Sequence, residues 1–310
     1  MYSQMIKKLS KTLLLLTAVA AFSLLFISCP TTDAAPQKST TSQVIEIKYP
    51  SKDYSVPQNE MSSQDYFEKR ALVYLPAGYN EKDTDTKYPL LILMHGNGGD
   101  EYSWGLSRSY GEIRIALDNG IASGEVKEFI LVTPNGVSDK TWNSKWGYSN
   151  RAGVIEFGKE LRNDLLPYLK ENFNILEGRE NVAMAGLSMG AEQTMEIGIG
   201  QCLDLIAYFG AFSCTPFTVG FNMDSGYLEP SEYIKQVEST FPDSSLKIKL
   251  LYMTCGTTDT TFYPGYCAYV PAMQEWNRIE NFGNYTVQGA GHEWKVWTAS
   301  FNEFIPLLFK

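Results

Sequence analysis

The feature that most constrains the fold is a series of short, continuous apolar runs that each end in turn residues. The runs are YPLLILMHG, EFILVTPNG, NVAMAG, LIAYFGAFS and IKLLYMTCG. Strands covered by helices on both faces of a parallel sheet have this composition. Two earlier segments, VIEIKY and RALVYLP, alternate apolar and polar residues, as half-buried antiparallel strands do. The sequence therefore predicts an α/β fold: a doubly wound, mostly parallel sheet with an antiparallel start and helices on both faces.

Helical stretches separate the apolar runs. Residues 156–172 carry apolar side chains at helical spacing, and residues 192–200, 273–282 and 293–309 are also predicted to be helical. Residues 213–242 interrupt this alternation with a long irregular segment. Such a segment either caps a functional site or is a plain surface excursion, and the sequence favours neither.

The first 28 residues are predicted to be a secretory signal rather than part of the fold. Lys7, Lys8 and Lys11 precede an apolar run over residues 13–27, which is short for a membrane span. The run ends in LLFISC, where the small Ser28 before Cys29 resembles a bacterial lipoprotein signal. We therefore expect lipidation of Cys29, a disordered Thr-, Ser- and Pro-rich tether over residues 29–43, and one folded domain over residues 44–310.

This organisation predicts an exported protein at the cell surface or in the periplasm, held to a membrane by a lipid anchor. The alternative is plain secretion, with Cys29 an ordinary thiol. The formal net charge is −9 and no basic patch stands out, which argues against nucleic acid as a partner.

Four further cysteines are spaced without any CxxC pair, which argues against a structural zinc site. They are Cys202, Cys214, Cys255 and Cys267. An exported chain can oxidise such thiols, and the sequence does not decide how they would pair.

Ser188 lies in a G-x-S-x-G segment, GLSMG, between a predicted strand and a predicted helix. In this context the pattern predicts a nucleophilic serine on a tight turn at the sheet edge. The N-terminus of the following helix favours the negative charge that develops during acyl transfer.

A serine nucleophile needs a base, and the chain has two histidines, His95 and His292. The order serine, acid, histidine that α/β-hydrolases use selects His292. The acid is then predicted to be Asp259, just past the strand LLYMTCG, with Asp224 and Asp243 as weaker candidates.

Part of the oxyanion hole is predicted to be the backbone N–H of Met189, directly after the nucleophile. The remainder is expected from the glycine-rich segment MHGNGGDE, where Gly96 opens the run of small residues. His95 begins this segment and is predicted to buttress it by hydrogen bonding.

Five segments in this order resemble the esterase-D-type α/β-hydrolases, and most closely the feruloyl and acetyl-xylan esterases of carbohydrate esterase family 1. They are LMHGNGGDEYSW, LVTPNG, AGLSMGAEQ, CGTTD and GAGHEWKVW, within residues 69–310. The resemblance implies the α/β-hydrolase fold in a single catalytic domain, with no metal and no cofactor. It implies Ser188 as nucleophile, His292 as base, Asp259 as acid, and Met189 with Gly96 and Asn97 as the oxyanion hole. Ala191 departs from the second glycine that many relatives carry after the turn.

The resemblance predicts a serine carboxylic-ester hydrolase that removes feruloyl or acetyl groups from plant cell-wall xylan. Its partner would be an ester-decorated polysaccharide or oligosaccharide. Five tryptophans near these segments could stack on a ferulate ring or a sugar, with core packing as the other interpretation of each. They are Trp104, Trp142, Trp146, Trp294 and Trp297, of which Trp104, Trp146 and Trp297 are the candidates for substrate contact.

Two alternative functions stay open at this point. One is a siderophore or other small-molecule esterase. The other is a non-catalytic glycan-binding protein on a hydrolase scaffold, against which the presence of all three triad residues argues.

Overall fold

The computed structural model describes residues 41–107, 112–143 and 151–310, and these contain one eight-stranded sheet. The strands are β1 (Gln43–Lys52), β2 (Tyr66–Leu75), β3 (Leu90–Met94), β4 (Ile130–Pro134), β5 (Val182–Leu187), β6 (Tyr208–Phe212), β7 (Leu250–Gly256) and β8 (Phe282–Val287). Their order across the sheet is β1-β2-β4-β3-β5-β6-β7-β8. β2 pairs antiparallel with β1 and with β4, whereas β3 to β8 pair in parallel. The predicted antiparallel start and mostly parallel sheet are confirmed.

Helices cover both faces of the sheet. They are α1 (Ile113–Ser123), α2 (Arg151–Ile155), α3 (Phe157–Glu160), α4 (Leu166–Asn172), α5 (Met189–Gln193), α6 (Gly200–Cys202), α7 (Pro230–Thr240), α8 (Tyr263–Glu275) and α9 (Trp294–Phe304). π-helical turns at Leu161–Leu165 and Thr194–Ile199 join α3 to α4 and α5 to α6.

Two apolar clusters lie on the two faces of the sheet, because successive side chains of a strand point in opposite directions. In β5, Val182 and Met184 belong to one cluster, while Ala183 and Ala185 belong to the other. α1 and α9 contribute to the second cluster, and the helices from α3 to α8 contribute to the first. The predicted two-sided helical cover is therefore confirmed.

The carboxyl ends of the parallel strands meet at one edge of the sheet. The segments that follow β3, β5, β7 and β8 emerge there, and they carry His95, Ser188, Asp259 and His292. The topology alone therefore places four chemistry-bearing residues from distant parts of the chain at one edge.

The helix predicted over residues 273–282 is wrong. The helix here is α8, which begins at Tyr263 and ends at Glu275, and Phe282 begins the edge strand β8. Pro264 and Pro271 argue against a helix at the sequence level, which is why α8 was not predicted. Pro264 lies in the first turn of α8, where proline is tolerated. β8 is half-exposed and therefore lacks the continuous apolar run of a central strand.

Residues 213–242 are only partly irregular. A loop runs from Ser213 to Glu229, and α7 then packs Tyr233 and Val237 into the apolar cluster. In the described part of the chain, no helix is both long enough and apolar enough to cross a membrane.

The cysteines in the described residues are all free thiols. Cys202, Cys214 and Cys255 are buried and Cys267 is exposed. Burial raises the pKa of Cys255 to about 12, so this thiol stays protonated.

Candidate active site

Ser188 occupies a strained turn between β5 and α5. Its φ is 53° and its ψ is −120°, a conformation that non-glycine residues rarely adopt. The flanking glycines permit the turn, because a Cβ on Gly186 would lie 2.5 Å from the Gly190 carbonyl group. A Cβ on Gly190 would lie 2.6 Å from the carbonyl oxygen of His95. The glycines of the motif are therefore required by close backbone approach on both sides of the nucleophile.

The three residues predicted as a triad form a continuous series of hydrogen bonds. The Nε2 atom of His292 lies 2.8 Å from the Ser188 Oγ, and its Nδ1 atom lies 2.7 Å from the Asp259 Oδ2. Because a buried carboxylate accepts the Nδ1–H, Nε2 is left to accept the serine proton. The structure thus brings the three side chains together in the geometry that activates a serine hydroxyl.

The Asp259 carboxylate is held by its own turn. Asp259 is 3% exposed, and its Oδ1 accepts backbone N–H bonds from Thr261 and Phe262 at 3.3 Å and 3.1 Å. These bonds leave Oδ2 directed at His292. Asp224 lies in a short turn of the 213–229 loop and Asp243 bonds to Ser245, so neither alternative acid contacts His292.

Two aromatic rings fix the His292 imidazole from different sides. The Phe262 ring stacks on it with centroids 4.5 Å apart, and the Trp297 ring meets it edge-on at 5.0 Å. Sequence reasoning missed Phe262. The available signal was its position three residues after the predicted acid, at the start of a helix that the sequence did not reveal.

The glycine-rich segment after β3 lies directly against the nucleophile. A Cβ on Gly96 would lie 2.5 Å from the Leu187 Cδ1 and 3.3 Å from the Ser188 Cβ. Gly96 and Asn97 both line the cavity above Ser188, and Met189 is the first residue of α5. The candidate oxyanion donors Gly96 and Asn97 are therefore on the same side as the nucleophile.

His95 lies beneath that segment and is 2% exposed. Its ring nitrogens contact the Gly96 carbonyl and the Gly136 backbone N–H, so the predicted buttress is confirmed. Burial lowers the pKa of His95.

A cavity of about 480 Å³ opens above the nucleophile. Its lining consists of Gly96, Asn97, Gly98, Gly99, Ser103, Leu187, Ser188, Met223, Phe262, His292, Trp294 and Trp297. This volume is within the range of small-molecule sites, and the walls are mainly apolar with a few polar groups beside the serine.

The predicted tryptophan contacts have different outcomes. Trp294 and Trp297, both named from the sequence as possible stacking residues, line the cavity. Trp104 is wrong as a substrate contact: it is 1% exposed, donates its indole N–H to the Met94 carbonyl and packs edge-on against Trp294. Trp146 lies outside the described residues.

Among the residues that the structure describes, no group of three or more His, Cys, Asp or Glu side chains could hold a metal ion. Cys29 lies outside those residues, so its predicted lipidation stays a prediction.

Known proteins that are similar to this chain carry related names. A family model described as "Putative esterase" matches residues 68–308. A protein of Xylanibacter ruminicola named endo-1,4-beta-xylanase/feruloyl esterase is 30% identical over 243 residues. An Acetivibrio thermocellus protein named endo-1,4-beta-xylanase Y is 29% identical over 147 residues. The aligned parts cover 77% and 44% of this chain but only 29% and 12% of those two relatives.

Solved structures agree on the fold. A CE1 ferulic acid esterase from Anaeromyces mucronatus, in complex with ferulic acid, matches with a TM-score of 0.66 and 27% identity, over 91% of this chain and 96% of that one. The feruloyl esterase module from Clostridium thermocellum, complexed with sinapinate, has a TM-score of 0.66 at 21% identity, over 87% and 89% of the two chains. The predicted α/β-hydrolase fold is confirmed.

Proposed function

We propose that this chain, which belongs to the esterase family whose model covers residues 68–308, is a serine carboxylic-ester hydrolase that removes feruloyl groups from xylan. The resemblance inferred from five sequence segments is confirmed at the level of the family. The observation that carries the proposal is the hydrogen-bonded series Asp259–His292–Ser188 at the floor of a cavity.

The proposed reaction follows from this geometry. The Ser188 Oγ attacks the ester carbonyl carbon while the Nε2 of His292 accepts the hydroxyl proton, and Asp259 stabilises the resulting imidazolium. Backbone N–H groups of Met189 and of the Gly96–Asn97 segment stabilise the oxyanion. The C–O bond to the sugar then breaks, and the alcohol leaves with the proton from His292. Water attacks the acyl-serine by the same route, which releases the carboxylic acid and restores Ser188.

The cavity favours a feruloyl over an acetyl group. An acetyl group would fill little of about 480 Å³, whereas Phe262, Trp294 and Trp297 offer aromatic walls against which a planar ring packs well. The relatives named feruloyl or ferulic acid esterases support the same acyl group, and the name of the Xylanibacter ruminicola protein supports xylan as its carrier.

The proposed site of action is outside the cytoplasm, on an ester-decorated polysaccharide or oligosaccharide. The basis is the N-terminal sequence pattern: lysines, an apolar run, and LLFISC before a Thr-, Ser- and Pro-rich segment. We further propose that Cys29 is lipidated and holds the enzyme to a membrane.

The decisive experiment compares wild type and Ser188→Ala in hydrolysis of methyl ferulate, acetylated xylan and p-nitrophenyl acetate. We expect wild type to prefer methyl ferulate by kcat/KM. Ser188→Ala should lose on the order of 10⁴ to 10⁶ in kcat because the nucleophile is gone. Ser123→Ala, on an exposed helix end, is the matched control and should behave as wild type. A correctly folded Ser188→Ala protein with wild-type turnover would reject the mechanism, and a preference for acetylated xylan would reject the acyl assignment.

A further inference from the structure

A buried series of hydrogen bonds leads away from the nucleophile to a charged pair that the proposed reaction does not use. His95 is at its centre. The N–H of Gly136 donates to the His95 Nε2 over 3.0 Å, and the His95 Nδ1 lies 2.7 Å from the Gly96 carbonyl oxygen.

These two contacts determine the tautomer of His95. A backbone N–H can only donate, so Nε2 must be the unprotonated acceptor nitrogen. A carbonyl oxygen can only accept, so Nδ1 must carry the hydrogen and donate it to Gly96. His95 is therefore a neutral imidazole with its proton on Nδ1. Burial lowers the pKa of this ring, which is consistent with the neutral form.

The Gly96 carbonyl is held by two donors. Besides the His95 Nδ1–H, it accepts the N–H of Gly99 over 3.0 Å. The first of these donors, His95, is buried beneath the segment. A Cβ on Gly99 would lie only 3.1 Å from the His95 Nδ1, so glycine is what lets the turn close around the ring.

Fixing that carbonyl also fixes the next N–H. The peptide unit is planar and trans, so the carbonyl of Gly96 and the N–H of Asn97 point in opposite directions. Since the carbonyl points inward to His95, the Asn97 N–H points outward, to the side where Asn97 and Ser188 line the cavity. An oxyanion donor is thus oriented by a side chain that never touches the substrate.

The far side of His95 is anchored equally firmly. The Gly136 carbonyl accepts the Gln193 side-chain amide over 2.7 Å, and the buried Lys69 ammonium donates to the carbonyls of Asn135 and Val137 over 2.9 Å and 2.8 Å. Lys69 is itself paired with the buried Glu160 at 2.8 Å. The Gly136 N–H that bonds to His95 therefore belongs to a segment, residues 135–137, in which all three backbone carbonyls accept hydrogen bonds from buried side chains.

We propose that His95 is a positioning residue for ester hydrolysis: its Nδ1–H, bonded to the Gly96 carbonyl, orients the Asn97 N–H toward the oxyanion. This inference rests on the proposed function. It gives His95 a role in the transition state only, because the oxyanion does not exist in the bound substrate.

The test compares His95→Asn with His95→Gln. The Asn side-chain amide occupies the position of Nδ1 and can still donate to Gly96, whereas the Gln amide extends to the position of Nε2 and cannot. We expect His95→Gln to lower kcat for p-nitrophenyl acetate by about 10², the usual effect of losing one oxyanion donor. KM should change by less than about threefold, because ground-state binding is untouched. His95→Asn should retain kcat within about tenfold of wild type.

A second readout separates positioning from packing. Phenylboronic acid forms a tetrahedral adduct with an active serine, so its dissociation constant should rise for His95→Gln in step with the fall in kcat. If both folded variants keep wild-type kcat, or if Asn loses as much as Gln, the proposal is wrong. If wild type hydrolyses no ester at all, the proposed function fails instead, and the two failures are distinct.

The tautomer can be measured in the wild-type protein, which removes any dependence on how the variants fold. The chain has only two histidines, so untagged protein with ¹⁵N-labelled histidine gives two ring systems in a long-range ¹H–¹⁵N spectrum. Modification of Ser188 with a phosphonate identifies the His292 signals by their shift. The remaining ring should show protonated Nδ1 and unprotonated Nε2 at neutral pH. A proton on Nε2 at neutral pH would overturn the assignment.

Discussion

At the scale of single residues, the site depends on orientation more than on proximity. Ser188, His292 and Asp259 are adjacent, but each has a neighbour that removes its rotational freedom. Glycines hold the Ser188 turn, two backbone N–H groups hold the Asp259 carboxylate, and Phe262 stacks on the His292 ring. The chemistry needs a specific proton on a specific nitrogen, and these contacts select it.

Asp259→Asn tests that selection. An amide has nearly the shape of the carboxylate, but its NH₂ group can donate to Nδ1, which moves the imidazole proton to Nε2 and leaves no acceptor for Ser188. We expect kcat on methyl ferulate to fall by about 10⁴ with the fold intact. Asp224→Asn, in the exposed loop, is the matched control and should change kcat little. Greater loss in the Asp224 variant than in the Asp259 variant would show that the acid is misassigned.

Sequence order was enough to select the three hydrogen-bonded residues of the proposed triad, because the order serine, acid, histidine left one choice of histidine. It was not enough for the aromatic residues. Trp104 and Trp294 are equally suitable by composition, and only the packing of one upon the other decides which faces the cavity. Phe262 had no pattern of its own, since its role depends on the turn at Asp259.

At the scale of elements, the helical segment after Ser188 carries two neighbouring acidic side chains. Glu192 and Glu196 lie one turn apart, and the Glu192 side chain and the Phe217 backbone N–H of the 213–229 loop both favour the charged form of Glu196. Burial raises the pKa of Glu196 from its ordinary 4.5 to about 7. Tyr233 and Tyr269 face the same group from α7 and α8, and Cys214 faces it from the loop.

This shift makes stability depend on pH. The folded state holds the Glu196 proton more tightly than the unfolded state, so its contribution favours folding below about pH 4.5 and is lost as pH rises to about 7. Glu196→Gln keeps nearly the same side-chain shape without the charge. We expect its stability advantage over wild type to grow between those pH values, toward at most about 3 kcal/mol above pH 7.

Urea denaturation of the two proteins at a series of pH values measures this difference. Glu232→Gln, on the exposed face of α7, is the matched control and should show no such dependence. A constant difference between Glu196→Gln and wild type from pH 4.5 to 8 would contradict the prediction.

Central strands were predictable from sequence because burial on both faces leaves a continuous apolar run. α8 and β8 were not, for opposite reasons. α8 contains two prolines and a glycine that local propensity counts against a helix, and packing of Tyr266, Tyr269 and Met273 overrides them. β8 is an edge strand whose exposed residues carry no alternation that distinguishes it from a loop.

At the scale of the whole molecule, one topological rule explains why the site exists. Parallel strands deliver their carboxyl ends to one edge, so residues 95, 188, 259 and 292 meet there although nearly 200 positions separate the first from the last. The end of β7 also packs closely against the segment that carries His292, since a Cβ on Gly256 would lie 2.3 Å from the Ala290 carbonyl oxygen. The sheet is thus the scaffold, and its edge is where sequence-distant groups become neighbours.

We also expect the N-terminal segment to determine where the folded domain is held in the cell. The lysines, apolar run and LLFISC segment predict that Cys29 is lipidated, and two acyl chains are enough for stable membrane attachment. Cys29→Ala should therefore move the protein out of the detergent fraction, toward soluble protein or uncleaved precursor. The kcat/KM on methyl ferulate should not change, because every residue of the proposed reaction lies at or beyond His95. Cys267→Ala, which removes an exposed thiol, should stay in the detergent fraction and is the matched control.

Labelling of cells with a clickable fatty acid tests the modification itself. If wild-type protein takes up no label and is recovered soluble with an N-terminus other than Cys29, the chain is secreted without an anchor.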